Sequence, residues 1–464
     1  GKVVTSEDIP AATQLFTPNW IVKYMVQNSL GAQWLATYPD SPLKARMDYY
    51  IEPAEQTPEV QAQLDAINPA SLDPEALTLM DPACGSGHIL VEAYELFKAI
   101  YLERGYRLRE IPKLILEKNL YGLDIDPRAA QLAGFALMMK AREDDRRVLE
   151  RGVGLNVMAL EESGTLSSEQ VGKLGSEEGI AGAVDELVEL FRHARTFGSL
   201  IQVPEGLAAK LPALSKPSET TSQYLFISCA LRSLQMLVRK AELLTAQYDA
   251  VVANPPYMGI KNYAAELKRF IEKNYKAGKR DTYAAFVLRG AEFLDVGSRL
   301  SMITLPNWMF HAQLASFRDF LRTDMAPCSL LENGRGVFGS DFGSCAFVYR
   351  KGADPNYRGR FQMLFDQRGA VQANQEIQVR FHERKLFERS HSDLDAVPGR
   401  PLAYWLSERL LMAFSRLRPL SRLAVAKHGM STSDNDTYLR SWHESISRVS
   451  GSAFRLGRLL PPPV

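Results

Sequence analysis

The chain lacks both long apolar runs and paired cysteines. No uninterrupted apolar stretch approaches the roughly 18–20 residues that a helix needs to cross a bilayer, so we expect no membrane span. The opening residues, GKVVTSEDIP, do not form a charged and then apolar secretion signal. The four cysteines have no CxxC or other paired spacing: Cys84, Cys229, Cys328 and Cys345. These absences argue against a disulfide framework or a zinc site and favour a cytoplasmic protein.

The composition is that of a folded protein with more than one domain. The 464 residues are 46% hydrophobic and 23% charged, which excludes a collagen-like, coiled-coil or wholly disordered chain. At roughly 100–200 residues per domain, the length favours two or three domains. The net charge of +1 does not exclude nucleic acid as a partner, because a basic surface can be balanced elsewhere in the chain.

From Leu77 onward, short apolar strands alternate with amphipathic helices. ALTLMD, LYGLDID, YDAVVA, RLSMIT and SCAFVYRK are typical of buried strands. This alternation predicts a parallel, doubly wound α/β sheet, which binds its ligands beyond the carboxyl ends of the strands. Before the sheet, the sequence predicts helices, one of them with Thr17 as N-cap and Pro18 in its first turn. After it, residues 358–390 are typical of a polar β-hairpin region.

Two predicted strands end in loops suited to a nucleotide-like ligand. Asp81 to Gly87 reads DPACGSG, and glycines between a strand and a helix let the backbone approach a ligand closely. The spacing is not GxGxxG, and a plain tight turn is the alternative interpretation. In GLDIDP, Asp124 ends the second strand, where an acid can accept hydrogen bonds from ribose hydroxyls. Asp126 and Pro127 are expected to start the next helix.

A third loop, Asn254 to Tyr257, follows YDAVVA and reads NPPY. Its two prolines make a rigid turn that lacks N–H groups. The Pro255 carbonyl and the Asn254 side-chain oxygen can then point together at one amino group, while Tyr257 offers a flat face for stacking. Taken alone, the motif is equally compatible with a simple turn at a strand end.

These motifs resemble those of a known enzyme family. DPACGSG, GLDIDP and NPPY are similar to motifs I, II and IV of γ-type N6-adenine DNA methyltransferases, which use S-adenosylmethionine. TQLFTP, before them, resembles motif X, and GVFGSDFGSCAFVY resembles motif VIII. TQLFTPNWIVKYMVQNSLG, FGSLI and HGMSTSDNDTYLRSWHE look closest to the PglX family of BREX phage-defence methyltransferases. No motif III acid is identifiable.

The resemblance implies a Rossmann-like, S-adenosylmethionine-dependent methyltransferase sheet with an N-terminal helical segment and the start of a C-terminal target-recognition region. It assigns cofactor contacts to the following residues: Thr13, Phe16, Thr17, Pro18, Asp81, Pro82, Ala83, Gly85, Gly87, Asp124 and Ile125. The catalytic residues would be Asn254, Pro255, Pro256 and Tyr257. Tyr257 and Phe338 would stack on a flipped-out adenine. The chemistry requires no metal and no catalytic histidine.

The same resemblance implies the domain organisation and the partners. Residues 1–75 would carry motif X, 76–355 the catalytic domain, and 356–464 a linker and an incomplete target-recognition region. PglX proteins are far longer, so this chain resembles their catalytic half. Double-stranded DNA and other phage-defence proteins are the expected partners, without a membrane. From Trp405 to the end, nine Lys or Arg against four acids would contact phosphates.

The expected function is site-specific adenine-N6 methylation of duplex DNA, marking host DNA in a phage-defence system. NPPY also occurs in enzymes that methylate RNA guanine or protein glutamine amides, which keeps those substrates as an alternative. An NAD oxidoreductase would leave NPPY unexplained. From a different class, a cofactor- and DNA-binding scaffold subunit that is inactive without its partners is also compatible with the sequence.

Overall fold

The computed structural model describes residues 16–163, 178–215, 225–339, 342–352, 354–367, 369–418 and 422. The chain divides into two compact units, residues 1–412 and 413–464. The helices are α1 (Asn19–Val26), α2 (Ala32–Thr37), α3 (Pro58–Ile67), α4 (His88–Glu103), α5 (Ile111–Leu114), α6 (Pro127–Asp144), α7 (Glu178–Leu190), α8 (Ala194–Phe197), α9 (Glu205–Ala208), α10 (Leu211–Leu214), α11 (Leu225–Thr245), α12 (Ala265–Asn274), α13 (Thr282–Glu292), α14 (Ala315–Asp324), α15 (Asn374–Glu383) and α16 (Glu408–Arg416).

The strands form one sheet of nine in the order β3-β2-β1-β4-β5-β7-β6-β8-β9. They are β1 (Leu79–Asp81), β2 (Leu120–Asp124), β3 (Asn156–Ala159), β4 (Tyr248–Ala253), β5 (Leu294–Thr304), β6 (Met325–Arg335), β7 (Gly343–Lys351), β8 (Gly359–Met363) and β9 (Phe387–Arg389). Strands β1 to β5 pair in parallel, and the chain order reverses between β1 and β4. Such a reversal opens a crevice at the carboxyl ends of the strands, where α/β sheets bind ligands.

Apolar clusters cover both faces of the sheet. Along β4, Val251 and Ala253 belong to one cluster and Ala250 and Val252 to the other, as the period of two in a strand requires. Helices α13 and α14 contribute to the first cluster, and α1 and α4 contribute to the second. This arrangement confirms the predicted doubly wound, Rossmann-like α/β fold.

The sheet is mixed where a parallel one was expected. β7 pairs antiparallel with both β5 and β6. Only residues 336–342 separate β6 from β7, which is too short for the crossover that a parallel neighbour needs. Strands β3 and β6 were not predicted, whereas β8 and β9 lie within residues 358–390, where a hairpin region was predicted.

One predicted element takes another form. Residues 376–384, expected in a hairpin strand, lie mostly in helix α15, because Ile377 and Phe381 are four residues apart and bury the same face. β8 and β9 do pair antiparallel on either side of that helix.

The domain boundary at residue 355 stays a prediction, although the sheet continues past it. Among the described residues, no helix is long and apolar enough to span a membrane.

Candidate functional site

The loop after β1 and the end of β2 are joined by hydrogen bonds. The Gly85 N–H donates to one oxygen of Asp124 at 2.8 Å, and the Asp126 N–H donates to the other at 2.8 Å. The Asp126 side chain caps helix α6, as predicted, by accepting from the Arg128 N–H at 2.9 Å. Each oxygen of Asp124 keeps a further lone pair, so its carboxylate can still accept from a ligand hydroxyl.

Two glycines shape the first loop in different ways. Gly85 has a φ of 52°, and a side chain added there would meet no atom within 4 Å, so the space in front of it is open. Gly87 has a φ of 85°, and an added Cβ would lie 2.9 Å from the Ala133 Cα of helix α6. Gly87 is therefore needed for packing, whereas Gly85 faces room for a ligand.

Asp81 is buried at the base of this loop and is 1% exposed. Burial raises the pKa of its carboxyl group to about 8, the Asp124 charge raises it further, and the hydrogen bond from the Ala83 N–H at 3.0 Å opposes the rise. Burial also raises the pKa of Asp124, against the backbone hydrogen bonds that it accepts. Two neighbouring acids with raised pKa values form a site that a cationic ligand would stabilise.

The segment FGSLI borders the same crevice and was not predicted as part of the site. The Ser199 hydroxyl donates to the Pro82 carbonyl at 2.5 Å. Gly198 has a φ of 53°, and a Cβ there would lie 2.9 Å from Ile125 Cγ2. The buried Arg289 side chain holds the segment by donating to the Ser199 and Ile201 carbonyls, both at 2.9 Å. The only signal in the sequence for this border of the crevice was the resemblance of FGSLI to the PglX family.

At the carboxyl end of β4, the NPPY turn is held by residues at the start of α13. The Thr282 hydroxyl donates to the Pro256 carbonyl at 2.5 Å, and the Met258 N–H lies 2.9 Å from that hydroxyl and 3.1 Å from Asp281 Oδ1. Burial raises the pKa of Asp281 to about 6. No described residue donates to the Pro255 carbonyl, which is the backbone acceptor expected to meet an amino group.

The Asn254 side chain connects this turn to the N-terminal segment. Its Nδ2 donates to the Thr17 hydroxyl at 3.1 Å. The expectation that Thr17 caps the first helix is wrong: Pro18 occupies the cap position, and its carbonyl accepts from the Ile21 and Val22 N–H groups. The Thr17 hydroxyl is therefore available to hold Asn254.

The Tyr257 hydroxyl lies between two acceptors. It is 2.8 Å from Asn254 Oδ1 and 2.9 Å from the Ile303 carbonyl oxygen. A hydroxyl has one proton, so the Tyr257 hydroxyl donates to only one of these two acceptors at a time. Burial raises the pKa of Tyr257 well above its usual value, so the hydroxyl stays protonated.

Three aromatic rings meet beside this turn. The Tyr257 ring lies 6.2 Å from that of Phe338 at an interplanar angle of 66°, and 6.0 Å from that of Phe342 at 84°. The two phenylalanine rings are 5.6 Å apart. The structure thus brings Tyr257 and Phe338 together, edge to face, and adds Phe342, which was not predicted.

Of the remaining predicted residues, Phe16 is 61% exposed, with its ring 5.3 Å from that of His88 at the start of α4. It therefore stands against the loop after β1. Thr13 lies outside the described residues. So do HGMSTSDNDTYLRSWHE and almost all of the basic tail after residue 418.

Comparison with known proteins gives matches over most of the chain. Residues 118–338 match the family model "Eco57I restriction-modification methylase", and residues 61–156 match "N-6 DNA Methylase". The adenine-specific methyltransferase BrxX of Escherichia coli O9:H4 (strain HS) is 43% identical over 96% of this chain. The adenine-specific methyltransferase PglX of Lacticaseibacillus casei (strain Zhang) is 31% identical over 96% of it. The chain spans 39% and 38% of the lengths of these two relatives.

Solved structures align at low identity. A DrdV–DNA complex is 10% identical with a TM-score of 0.48, over 85% of this chain and 31% of that one. The type ISP restriction-modification enzyme LlaBIII bound to DNA is 12% identical with a TM-score of 0.45, over 80% of this chain and 21% of that one. The type I methyltransferase subunit from Streptococcus thermophilus is 13% identical with a TM-score of 0.41, over 85% and 59%.

Proposed function

Because the chain belongs to the family of adenine-specific methyltransferases that includes BrxX and PglX, we propose that it methylates adenine N6 in duplex DNA. The methyl donor would be S-adenosylmethionine, and the methylated adenines would mark host DNA in a phage-defence system, with other defence proteins as partners. The observation that carries this proposal is the NPPY turn at the carboxyl end of β4, where Asn254 is tied to Thr17.

The residues around the crevice fit the proposed cofactor. S-adenosylmethionine supplies an electrophilic methyl group on a sulfonium, and it carries a cationic amino group. Asp81 is a buried acid that a nearby cation would ionise, Asp124 can accept from ribose hydroxyls, and the open space before Gly85 leaves room for the ligand. Ile125 and the FGSLI segment would border the side where an adenine ring can lie.

The target amino group would be held by the NPPY turn. N6 of adenine is paired inside a duplex, so the base must leave the stack before it can react. Asn254 Oδ1 and the Pro255 carbonyl would accept the two N–H groups and so favour a tetrahedral nitrogen whose lone pair points at the methyl group. An amide oxygen has two lone pairs, so Asn254 Oδ1 could accept from N6 beside its contact with the Tyr257 hydroxyl.

Thr17 would act as a positioning residue in this reaction. Its hydroxyl holds Nδ2 of Asn254, which leaves Oδ1 on the other side of the amide. The family resemblance assigns the same residue a contact with the cofactor. The two roles predict different kinetic effects, because a positioning residue changes kcat whereas a cofactor contact changes the Kd of S-adenosylmethionine.

The test is transfer of a labelled methyl group from S-adenosylmethionine to duplex DNA, RNA or protein, followed by identification of the modified unit. We expect N6-methyladenine in DNA, and a loss of about 100-fold or more for Asn254→Ala. Thr17→Val should lower kcat, whereas Thr17→Ser should restore it. Calorimetry on each variant measures cofactor binding separately.

The alternatives are outcomes of the same test. If RNA or protein glutamine were methylated and DNA were not, duplex DNA would not be the substrate. Cofactor and DNA binding without transfer, with or without partner proteins, would favour a scaffold subunit. Full activity of Asn254→Ala would refute the role of the NPPY turn, and a chain that does not bind S-adenosylmethionine would refute the function as a whole.

A further inference from the structure

The segment between the NPPY turn and helix α13 carries a concentrated positive charge. Residues 260–280 contain seven Lys or Arg and two Glu, in a chain whose net charge is only +1. We call this segment the basic strap. Five of its cationic side chains are exposed: Lys261, Lys268, Arg269, Lys273 and Lys276. None of the five forms an ion pair or a side-chain hydrogen bond with a described residue.

Both ends of the basic strap are fixed at the proposed site for the target base. Gly259 and Asp281 form an antiparallel bridge, and the Ile260 N–H donates to the Arg280 carbonyl at 3.0 Å. The strap therefore leaves the sheet at the carboxyl end of β4 and returns to the start of α13. In a sheet of this topology, that edge is the one where ligands bind.

The inner side of the strap is firmly packed. The Phe270 ring stacks on Phe197 with centroids 4.1 Å apart, and the buried Tyr275 hydroxyl donates to the Leu200 carbonyl at 2.7 Å. A Cβ at Gly278 would lie 2.7 Å from the backbone of α13. The backbone that carries the cations is thus held in place, so binding a partner orders only their side chains.

Two features of the strap indicate that its partner is an anion. Arg269 and Lys273 lie four residues apart on α12, on one face and about 6 Å apart along the axis. At the base of the strap, Arg280 Nε is buried and has no hydrogen-bond partner among the residues that the structure describes. Phosphate oxygens can pair with the exposed cations, and an anion bound to the Arg280 guanidinium would stabilise its charge.

We propose that the basic strap binds the phosphate backbone of duplex DNA next to the adenine that enters the NPPY turn. This inference rests on the proposed function and assigns to the strap a contact that the sequence suggested for the tail. Contacts to phosphates position the duplex without reading its sequence, so the strap would act equally on all DNA sites.

The test is the salt dependence of DNA binding by the full chain, measured by fluorescence anisotropy on a labelled duplex. Arg269→Gln, Lys273→Gln and Lys276→Gln are combined in one variant. If each side chain neutralises one phosphate, the slope of log K against log salt becomes shallower by about 2.7. The affinity should fall equally for unrelated duplex sequences.

The matched control combines Arg107→Gln, Arg109→Gln and Arg142→Gln, which form no ion pair with a described residue. It removes the same three positive charges from exposed positions before β3. We expect this control to keep the wild-type slope. Calorimetry with S-adenosylmethionine is run on all three proteins, so a failure of the cofactor site is recorded separately from a failure of the strap.

An unchanged slope in the strap variant would overturn the inference and leave the proposed function intact. So would an equal change in the control, or tighter binding of RNA than of DNA of the same length. A wild-type chain that binds S-adenosylmethionine but no duplex at low salt would also overturn the inference.

Discussion

At the scale of single residues, Asp81 shows how a ligand site can cost the fold stability. An Asp in an unfolded chain has a pKa of about 3.9, whereas burial holds that of Asp81 at about 8. Between these pH values the unfolded chain loses a proton that the folded chain keeps. The free energy of unfolding therefore decreases as the pH rises through this window, and the contribution is fully present only below pH 4.

Asp81→Asn removes this pH dependence. The amide is neutral at both ends of the window, and its oxygen can still accept from the Ala83 N–H. We expect the variant without ligand to be more stable than wild type at pH 8, by a free energy on the order of 5 kcal/mol, and to differ little near pH 4. Denaturant unfolding at the two pH values measures this. The same stability difference at both pH values would contradict the expectation.

At the scale of the secondary-structure elements, the start of α4 depends on one glycine of the DPACGSG loop. Gly87→Ala would place a Cβ against the backbone of α6 at a positive φ. Gly85→Ala shares the positive φ but meets open space, so it is the matched control. We expect Gly85→Ala to cost about 1 kcal/mol of unfolding free energy, and Gly87→Ala about 2 kcal/mol more.

Denaturant midpoints of the two variants measure this difference, provided that their m-values agree with that of wild type. Equal destabilisation would show that only backbone strain matters at Gly87. A stable Gly87→Ala protein with weakened cofactor binding would show that α4 shifts instead of clashing.

The elements with a strong local signal could be predicted from the sequence. β1, β2 and β4 combine apolar runs with the loops that follow them, and the capping of α6 by Asp126 follows from its DP dipeptide. Strand β3 was not predicted: it is as short as β1 and β2, but no distinctive loop follows it, and it depends on its pairing with β2.

The residues of the site divide in the same way: some could be predicted from local sequence patterns, and others could not. Asp81, Asp124 and Asn254 could be identified because three distinctive loop motifs follow predicted strands one after another along the chain. Sequence reasoning missed the contact between Ser199 and Pro82 and misassigned the Thr17 hydroxyl. Those contacts join residues more than a hundred positions apart, and no local pattern encodes them.

At the scale of the whole molecule, residues beyond 355 complete the sheet. β8 pairs with β6, whose Leu330 and Leu331 are fully buried. The Tyr404 ring stacks on Phe361 of β8, and its hydroxyl donates to Glu332 of β6 at 2.8 Å. The sequence resemblance placed the end of the catalytic domain at residue 355, before all of these contacts.

We expect a chain that ends at Met412 to unfold in one cooperative transition. A chain that ends at Pro355 should aggregate or unfold at a much lower temperature, because the β6 edge and its apolar side chains are uncovered. Size-exclusion chromatography and thermal unfolding followed by circular dichroism test this. Equal midpoints for the two chains would support a domain boundary at residue 355.

The docking of α1 has a consequence for how the protein is made. The Tyr24 hydroxyl lies 2.7 Å from that of Ser329, 305 positions later, and Trp20 Nε1 donates to Asn374, 354 positions later. At ~5–20 residues per second, α1 waits on the ribosome for about 15 to 70 seconds before these partners exist. Helix α4 emerges earlier and can cover part of the apolar face of α1, but the part that meets β6 and α15 stays uncovered during that time. The hydrogen bond that orients the target amide therefore depends on a helix whose docking is completed only after β6 and α15 have emerged.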